Sequence, residues 1–204
     1  MSDDLDSNTS LIYLHGFKSS PRSQKALSLI DYAQNELIDW IDQGKLELLV
    51  PTLPYKPEQA VALIEKLILS SVRPVLIGSS LGGFYSIYFA EKFNCKAVLV
   101  NPLVTLQESL ADSFLGHHTN LYNGDEFDIE ISDAEYLMTL ERANIVQQDQ
   151  YLLLLETGDE VLDYRKALEK FPKAEQVVIA GGNHRFENFE KYLTKIIEFV
   201  DLKS

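Results

Sequence analysis

Residues 74–83 read PVLIGSSLGG, an apolar run that leads directly into a glycine-rich turn. The apolar run at 74–77 predicts a buried strand, and the pattern of 84–93 predicts a helix. Between them, the segment from Gly78 to Gly82 matches G-x-S-x-G, a tight strand-to-helix turn that exposes its central serine hydroxyl. Neighbours without a Cβ atom suit this turn because the strand and the helix approach each other closely there.

Ser80 occupies the central position of this pattern, at the N-terminus of the predicted helix. The helix dipole at that end favours negative charge that develops during a reaction. Ser79 is adjacent but out of register with the two glycines, so it is the weaker candidate. We therefore predict that Ser80 is a nucleophile.

Short apolar runs alternate with amphipathic helices along most of the chain, which indicates βαβ units and a mostly parallel sheet covered on both faces. The predicted strands are 11–14, 46–50, 74–77, 97–100, 151–155 and 177–180. The predicted helices are one that starts at Ser20-Pro21 and runs towards Gly44, one that starts at Pro57, and the segments 84–93, 162–171 and 186–200. The sequence thus predicts a three-layer α/β fold with a minimal six-stranded sheet, in a single domain over residues 1–204.

About fifty residues separate the fourth and fifth predicted strands, far more than an ordinary crossover needs. This stretch is acidic, aromatic and poor in strand signal, so we expect a small helical cap insertion at about 103–148, over the carboxyl edge of the sheet. Three of its aromatic residues are candidates for an acyl pocket, although plain packing is the simpler interpretation: Tyr122, Phe127 and Tyr136. The adjacent His117 and His118 lack companions at ligand spacing, and no metal site is predicted.

The charge balance weighs against several classes of protein. The chain has 31 acidic and 18 basic residues, a net charge of −13, which disfavours binding to nucleic acid or to anionic membranes. No apolar run has the length of a membrane-spanning helix, and the acidic N-terminal segment does not resemble a secretory signal. The single cysteine, Cys95, predicted to be buried in a strand, suits a reducing cytoplasm. Motifs for nucleotide cofactors are absent, so no cofactor is predicted.

Two downstream residues can complete a proton relay with Ser80. Asp159 follows the fifth predicted strand and His184 follows the sixth, in the Ser-Asp-His order that such a relay has in this type of fold. His184 would act as general base and then as acid, while Asp159 would orient its ring. Asp163 competes with Asp159, but a carboxylate near a helix start has an electrostatic role without catalysis. Glu160 is interpreted as a solvated residue of the first helical turn.

An oxyanion hole requires two backbone N–H donors. Leu81, the residue after the nucleophile, supplies one, and the loop after the first strand supplies the other. Phe17 is the candidate in that loop, where Gly16 lets the backbone turn sharply. His15 is predicted to support the loop and to have no part in proton transfer.

Five motifs together resemble the YqiA-like esterases, a family of small bacterial α/β-hydrolases. They are YLHGFKSSP at 13–21, GSSLGG at 78–83, NP at 101–102, TGDEVLDY at 157–164 and GGNHRF at 181–186. The resemblance implies a six-stranded α/β-hydrolase sheet that lacks the first two strands of larger relatives. It also implies esterase activity on simple esters and acyl thioesters, with Ser80, Asp159 and His184 as the catalytic triad.

The leading hypothesis is a carboxylesterase that acts through an acyl-Ser80 intermediate on a small-molecule ester or thioester. An acyl-CoA thioesterase is the close alternative, in which Lys18, Arg22 and Lys25 would bind phosphate, although a solvated helix face is the favoured interpretation of these three residues. A non-catalytic binding protein of the same fold is a different class, disfavoured by the intact Ser, Asp and His set. A lyase or an acyl transferase would use the same triad. The sequence contains no indication of the oligomeric state.

Overall fold

The computed structural model describes residues 8–106, 114–120 and 122–202. The strands are β1 (Thr9–Leu14), β2 (Leu46–Leu49), β3 (Arg73–Ser79), β4 (Ala97–Val100), β5 (Gly116–Thr119), β6 (Glu126–Ile129), β7 (Tyr151–Glu156) and β8 (Glu175–Ile179). The α-helices are α1 (Gln24–Glu36), α2 (Ile38–Asp42), α3 (Pro57–Ser70), α4 (Leu81–Phe93), α5 (Ile131–Leu140), α6 (Tyr164–Lys170) and α7 (Leu193–Val200), with 3₁₀ turns at Gln148–Gln150 and Phe189–Tyr192.

Six strands form the central sheet in the order β2-β1-β3-β4-β7-β8, and every pairing in it is parallel. All residues of β1, β4 and β7 are buried, as strands covered on both faces must be. The prediction of a minimal, mostly parallel six-stranded α/β sheet is therefore confirmed. Because the strands are parallel, all six carboxyl ends lie at one edge.

Alternate residues of the strands enter two hydrophobic clusters, one on each face of the sheet. Helices α3, α4, α5 and α6 pack on one face, and α1 and α7 pack on the other. Helix α4 is buried along nearly its whole length, so it is an internal helix rather than an amphipathic surface one. The six-stranded sheet and α4 thus form a rigid base at the edge where β3 ends.

The segment between β4 and β7 contains a β-hairpin as well as a helix. Strands β5 and β6 pair antiparallel and α5 follows them, so the segment predicted as a small helical cap contains a hairpin in addition to its helix. The Asn123-Gly124 pair in the connecting loop is a typical hairpin turn signal that the analysis of the sequence overlooked. Residues 107–113 and 121, which fall in the predicted cap, lie outside the described residues.

Several local boundaries differ from prediction, and the single helix predicted from Ser20-Pro21 towards Gly44 is divided into α1 and α2. Helix α1 begins at Gln24, because Ser20 uses its Oγ to accept a hydrogen bond from the Arg22 N–H and forms a turn instead. The last helix begins at Leu193 because Phe189, fully buried, belongs to a 3₁₀ turn. Cys95 is buried but precedes β4 rather than lying within it.

Two glycines permit the close approach of α4 to the sheet. A Cβ atom on Gly82 would lie 2.0 Å from the carbonyl oxygen of Leu14 in β1. A Cβ atom on Gly78 would lie 2.3 Å from both the Gly82 carbonyl oxygen and the Ser86 Oγ. These obstacles are mostly backbone atoms, which cannot move aside as a side chain can. The glycine spacing of the motif is therefore a packing requirement.

We predict that Gly82→Ala lowers the free energy of unfolding by at least about 2 kcal/mol, since it forces α4 away from β1. Gly44→Ala is the control, because Gly44 has a positive φ of 69° but open space around its Cβ position. Its expected cost is about 1 kcal/mol, from backbone conformation alone. Urea unfolding of both variants makes the comparison; equal losses would contradict the steric explanation.

Candidate active site

Three of the predicted site residues converge at the carboxyl edge of the sheet. Ser80 follows β3 directly, Asp159 lies in the loop after β7, and His184 lies in the loop after β8. The His184 Nε2 atom is 3.0 Å from the Ser80 Oγ. Its Nδ1 atom is 2.8 and 3.0 Å from the two carboxylate oxygens of Asp159. The three side chains form one continuous chain of hydrogen bonds.

The burial of Asp159 determines which atoms donate and which accept in this chain of hydrogen bonds. The Asp159 side chain is 2% exposed and that of His184 is 20% exposed. A buried carboxylate accepts the Nδ1–H of His184 and thereby selects the tautomer in which Nε2 carries a lone pair. That lone pair faces the Ser80 hydroxyl, which can donate its proton to it. The arrangement can therefore increase the nucleophilicity of Ser80 Oγ.

Ser80 has an unusual backbone conformation, with φ 55° and ψ −119°. A non-glycine residue in this region carries strain of about 1–3 kcal/mol and needs support from its surroundings. Its N–H donates to the Val100 carbonyl at 3.2 Å, and its carbonyl accepts from Leu103 at 3.0 Å and Gly83 at 2.9 Å. These contacts hold the Ser80 side chain towards His184. Ser79 is the last residue of β3 and is buried.

Asp159 and Asp163 have different partners. One carboxylate oxygen of Asp159 also accepts the N–H groups of Val161 and Leu162, at 2.8 and 2.9 Å. Asp163 is the N-cap residue of α6 and forms an ion pair with Arg165 at 2.6 Å. Hydrogen bonds from Arg165 lower the pKa of Asp163. The structure therefore brings Asp159 to His184 and engages Asp163 with the helix that it caps.

Glu160 has a more specific contact than the sequence suggested. It lies in the loop before α6 rather than in the first turn of that helix, and its side-chain carboxylate accepts the backbone N–H of His184 at 2.9 Å. That hydrogen bond lowers the pKa of Glu160. Glu160 is exposed, as expected, but its contact with His184 could not be predicted, because the loops after β7 and β8 are neighbours only in the folded chain.

A buried carboxylate also holds the loop after β8, which carries His184. Glu156, the last residue of β7, is 2% exposed and accepts the Asn183 N–H at 2.8 Å. Asn101 accepts the Glu156 N–H at 2.9 Å and donates to the Asn183 carbonyl at 3.0 Å. Sequence reasoning missed both residues. The available signals were a glutamate that ends a run of four leucines and the Asn-Pro pair after β4.

The loop after β1 lies against Ser80. A Cβ atom on Gly16 would be 3.1 Å from the Ser80 Cβ, so a side chain there would crowd the hydroxyl. His15 donates from Nδ1 to the Gly16 carbonyl at 2.9 Å and accepts the Leu53 N–H at Nε2, 3.1 Å away. Burial lowers the pKa of His15, in keeping with a neutral, supporting ring.

The two predicted oxyanion donors border the same space. Phe17 lines the cavity next to Ser80. Leu81 is the first residue of α4, so its N–H has no carbonyl partner within the helix. A carbonyl oxygen bound above Ser80 would lie near both segments, which keeps Phe17 and Leu81 as the predicted donors.

A cavity of about 480 Å³ opens beside Ser80 and His184. Tyr122 lines it, whereas Phe127 and Tyr136 are not among its lining residues. Phe127 instead stacks on Tyr55, with ring centroids 3.9 Å apart, and meets Phe17 edge-on at 5.8 Å. Of the three aromatic candidates, only Tyr122 therefore faces this cavity.

His117 and His118 are engaged separately. His117 contacts Asp128 at 3.0 Å, and His118 contacts the Phe114 carbonyl at 2.7 Å and the edge of the Phe17 ring. Within the described ranges, no group of three or more His, Cys, Asp or Glu side chains could hold a metal ion. No described helix combines the length and apolar character needed to cross a bilayer.

Three basic side chains line the cavity: Lys18, Lys25 and Arg185. Arg22, which the sequence grouped with the two lysines, is exposed and is not a lining residue. Arg185 was missed, although it directly follows His184. Burial lowers the pKa of Lys25 to about 8, against the opposing effect of the Glu156 and Asp159 carboxylates.

Comparison with known proteins gave one matching family model, described as Uncharacterised protein family (UPF0227), over residues 10–201. Among solved structures, a protein classed provisionally as a hydrolase from Agrobacterium vitis S4 has a TM-score of 0.69 at 16% identity, covering 98% of this chain and 91% of that chain. An alpha/beta superfamily hydrolase from Oenococcus oeni PSU-1 has a TM-score of 0.63 at 17% identity, covering 97% and 94%. Est1E from Butyrivibrio proteoclasticus, with bound ferulic acid, has a TM-score of 0.61 at 13% identity, covering 97% and 90%. At such identities these similarities establish the α/β-hydrolase fold.

We predict that the stability difference between wild type and Lys25→Met depends on pH. An unfolded lysine holds its proton up to about its ordinary pKa of 10.5, whereas folded Lys25 releases it near pH 8. Between these values the unfolded state binds more protons, so Lys25 makes the wild-type free energy of unfolding rise with pH. Below that window the contribution is constant.

Urea unfolding at pH 7, 8, 9 and 10 tests this prediction. Above pH 8 the free energy of unfolding of wild type should increase relative to that of Lys25→Met. The control Lys66→Met, at an exposed position, should show the same pH dependence as wild type. Parallel curves for Lys25→Met as well would contradict the lowered pKa.

Proposed function

We propose that this chain, which belongs to the uncharacterised protein family UPF0227, is a serine hydrolase that cleaves carboxylic esters. UPF0227 is the YqiA-like family that the sequence motifs indicated. The observation that carries the proposal is the hydrogen-bond chain from Ser80 through His184 to the buried Asp159. Its position at the carboxyl edge of a parallel sheet is where α/β folds bind their ligands. The hydrolase and esterase names of its structural neighbours add support by analogy.

The first half of the proposed reaction acylates Ser80. Its Oγ attacks the carbonyl carbon of the ester while His184 Nε2 takes the hydroxyl proton. Asp159 keeps the Nδ1 proton in place and stabilises the imidazolium that forms. The N–H groups of Phe17 and Leu81 would donate to the developing oxyanion, with the positive end of the α4 dipole behind them.

Departure of the alcohol completes the acylation half, and hydrolysis of the acyl-enzyme is the second half, which returns the enzyme to its starting state. His184 gives its proton to the leaving alcohol oxygen as the C–O bond breaks, which leaves an acyl-Ser80 ester. A water molecule then attacks that ester, with His184 again as base. Release of the carboxylic acid and return of the proton to Ser80 Oγ complete the cycle.

The proposed architecture is one α/β-hydrolase domain over 1–204, with the insertion at about 103–148 acting as a cap beside the oxyanion loop. Ring contacts support this role, since Phe17 packs against Phe114 at 4.8 Å and against Phe127. The Asn120 side chain also donates to the Ser19 carbonyl at 3.1 Å. The cap would thereby hold the Phe17 backbone in place.

The same triad would cleave a thioester, and an acyl-CoA thioesterase is the second candidate. The presence of Lys18 and Lys25 in the cavity favours it, whereas the position of Arg22 outside the cavity does not. A KM for acyl-CoA that rises with salt, and that loses this dependence in Lys18→Gln, would support the thioesterase. In either case we propose a cytoplasmic enzyme that acts on small molecules and binds neither nucleic acid nor membranes, in keeping with the net charge of −13.

We predict that the wild-type protein is labelled by a fluorophosphonate probe and hydrolyses p-nitrophenyl esters. Ser80→Ala should abolish labelling and reduce turnover by at least about 10³-fold, since it removes the nucleophile. Ser79→Ala is the adjacent control and should retain labelling. If the wild type neither labels nor hydrolyses any ester, the serine hydrolase proposal is wrong; if Ser80→Ala still labels, another serine is the nucleophile.

We predict a large difference between the asparagine variants at the two competing carboxylates. Asp159→Asn should lower kcat by about 10²–10⁴-fold, because the amide no longer fixes the His184 tautomer. Asp163→Asn should keep near wild-type kcat, since Asp163 is engaged with Arg165. Steady-state kinetics on one ester measures both, and the reverse pattern would transfer the triad role to Asp163.

A further inference from the structure

We propose that the cavity beside Ser80 selects esters that carry an anionic oxygen group, a carboxylate or a phosphate, a few atoms from the scissile bond. The inference rests on the proposed hydrolase function and deepens it by naming a substrate class. The features that carry it are the charge of the cavity wall, the absence of partners for that charge, and an uncapped helix end in the same wall.

The charge of the cavity wall is opposite to that of the protein. The chain carries 31 acidic and 18 basic residues, yet the side chains of Lys18, Lys25 and Arg185 line the cavity, and no carboxylate lines it in the part of the chain that the structure describes. Three cations on one concave wall repel each other, and the surrounding negative charge offers many carboxylates with which they could pair. Their concentration beside Ser80 therefore indicates a ligand of negative charge.

These three cations have no ion-pair partner among the described residues. Some other basic side chains have one, as Lys92 does with Glu65 at 2.6 Å, whereas Arg73 and Lys96 donate to backbone carbonyls instead. Lys18 contacts only the face of the Phe17 ring, at 5.8 Å from its centroid. Lys25 donates to the backbone carbonyl of Arg185, which leaves its charge uncompensated within contact distance. An anion in the cavity would supply the missing charge.

The N-terminus of α1 contributes hydrogen-bond donors to the same wall. Ser23 occupies the N-cap position, but its side chain makes no capping hydrogen bond. The Ser23 Oγ is buried and makes no hydrogen bond of normal geometry with a described residue. The buried phenol of Tyr13 is the polar group beside it. Ser23, Gln24 and Lys25 all line the cavity. Free N–H groups at the positive end of a helix dipole are a common binding site for carboxylate and phosphate.

The cavity wall combines apolar surface with cations and hydroxyl groups, so it suits a compact substrate that has both an organic part and a charged part. At about 480 Å³ it suits a ligand of modest size. Ser19, Ser23 and Gln24 add polar groups to the three cations. A long aliphatic chain would leave these groups without hydrogen bonds, which is unfavourable. The anionic part of the substrate is therefore the part that this cavity would hold.

Two matched ester pairs test the proposal and locate the anion. The acyl side is tested with mono-p-nitrophenyl glutarate against p-nitrophenyl pentanoate. The leaving-group side is tested with p-carboxyphenyl butyrate against p-carbamoylphenyl butyrate. We expect kcat/KM for the anionic member to be roughly tenfold higher in one pair, and to fall as ionic strength rises. Equal or lower kcat/KM for the anionic member of both pairs would overturn the proposal.

Substitutions at the two exposed cations make the test specific. Lys18→Gln and Arg185→Gln should each reduce the ratio of anionic to neutral kcat/KM, and the double variant should bring it close to one. Lys66→Gln, an exposed lysine on α3 away from the cavity, should keep the wild-type ratio. A ratio that stays high in the double variant would contradict the assignment. Lys25 is left intact because it also supports the loop that carries His184.

Inhibition by free anions shows whether the cavity prefers a carboxylate or a phosphate. Glutarate and inorganic phosphate should be compared as inhibitors of p-nitrophenyl pentanoate hydrolysis, in the wild type and in Lys18→Gln. Stronger inhibition by one of them identifies the preferred anion, and inhibition by neither would count against the site. Fluorophosphonate labelling of Ser80 is measured in parallel. Normal labelling without anion preference refutes this inference alone, whereas absence of labelling refutes the hydrolase proposal itself.

Discussion

The turn between β3 and α4 requires Ser80 to take a backbone conformation that a residue with a side chain rarely adopts, and the geometry of the site depends on it. That conformation accompanies a close approach of α4 to the strands, where Gly78 and Gly82 leave room for backbone atoms. Hydrogen bonds from and to neighbouring loops compensate the strain. The same turn directs the hydroxyl outward and places the Leu81 N–H at the helix start. One local constraint therefore positions both the proposed nucleophile and a proposed oxyanion donor.

The loop that carries His184 is held by a second, largely buried set of contacts. Glu156 and Asn101 form hydrogen bonds with Asn183, and the exposed Glu160 accepts the His184 N–H. Burying the Glu156 carboxylate is costly unless its hydrogen bonds are made, so the loop and the network stabilise each other. The role proposed for His184, to accept and return a proton within one catalytic cycle, would benefit from such a fixed position. These residues support the chemistry without touching the reacting atoms.

Electrostatics divides the molecule into an acidic exterior and a cationic cavity. The net charge of −13 disfavours the approach of polyanions at long range, whereas Lys18, Lys25 and Arg185 would attract a small anion at short range under the proposal. The lowered pKa of Lys25 reflects the cost of burying that charge without a contacting carboxylate. An anionic substrate would reduce this cost when it binds. Such an arrangement favours small charged esters over nucleic acids and anionic surfaces.

The order of strands and strand-end residues along the chain determined much of this picture. Buried parallel strands appear as short apolar runs, so β1, β3, β4 and β7 could be predicted closely, and with them the edge that carries Ser80, Asp159 and His184. The choice of Asp159 over Asp163 could also be argued locally, since Asp163 is the residue that caps a helix. Each of these inferences depends on periodicity or on neighbours in the sequence.

Only the tertiary structure decided the rest, because the contacts concerned join distant segments. The Glu156, Asn101 and Asn183 network links three loops, and Arg185 meets Lys25 and Lys18 only where β8 and β1 end at the same edge. The β5–β6 hairpin has short, mostly exposed strands, whose apolar pattern is too weak to outweigh the helical signal nearby. Sequence determined which residue types stand at the strand ends, whereas three-dimensional packing determined which of them meet.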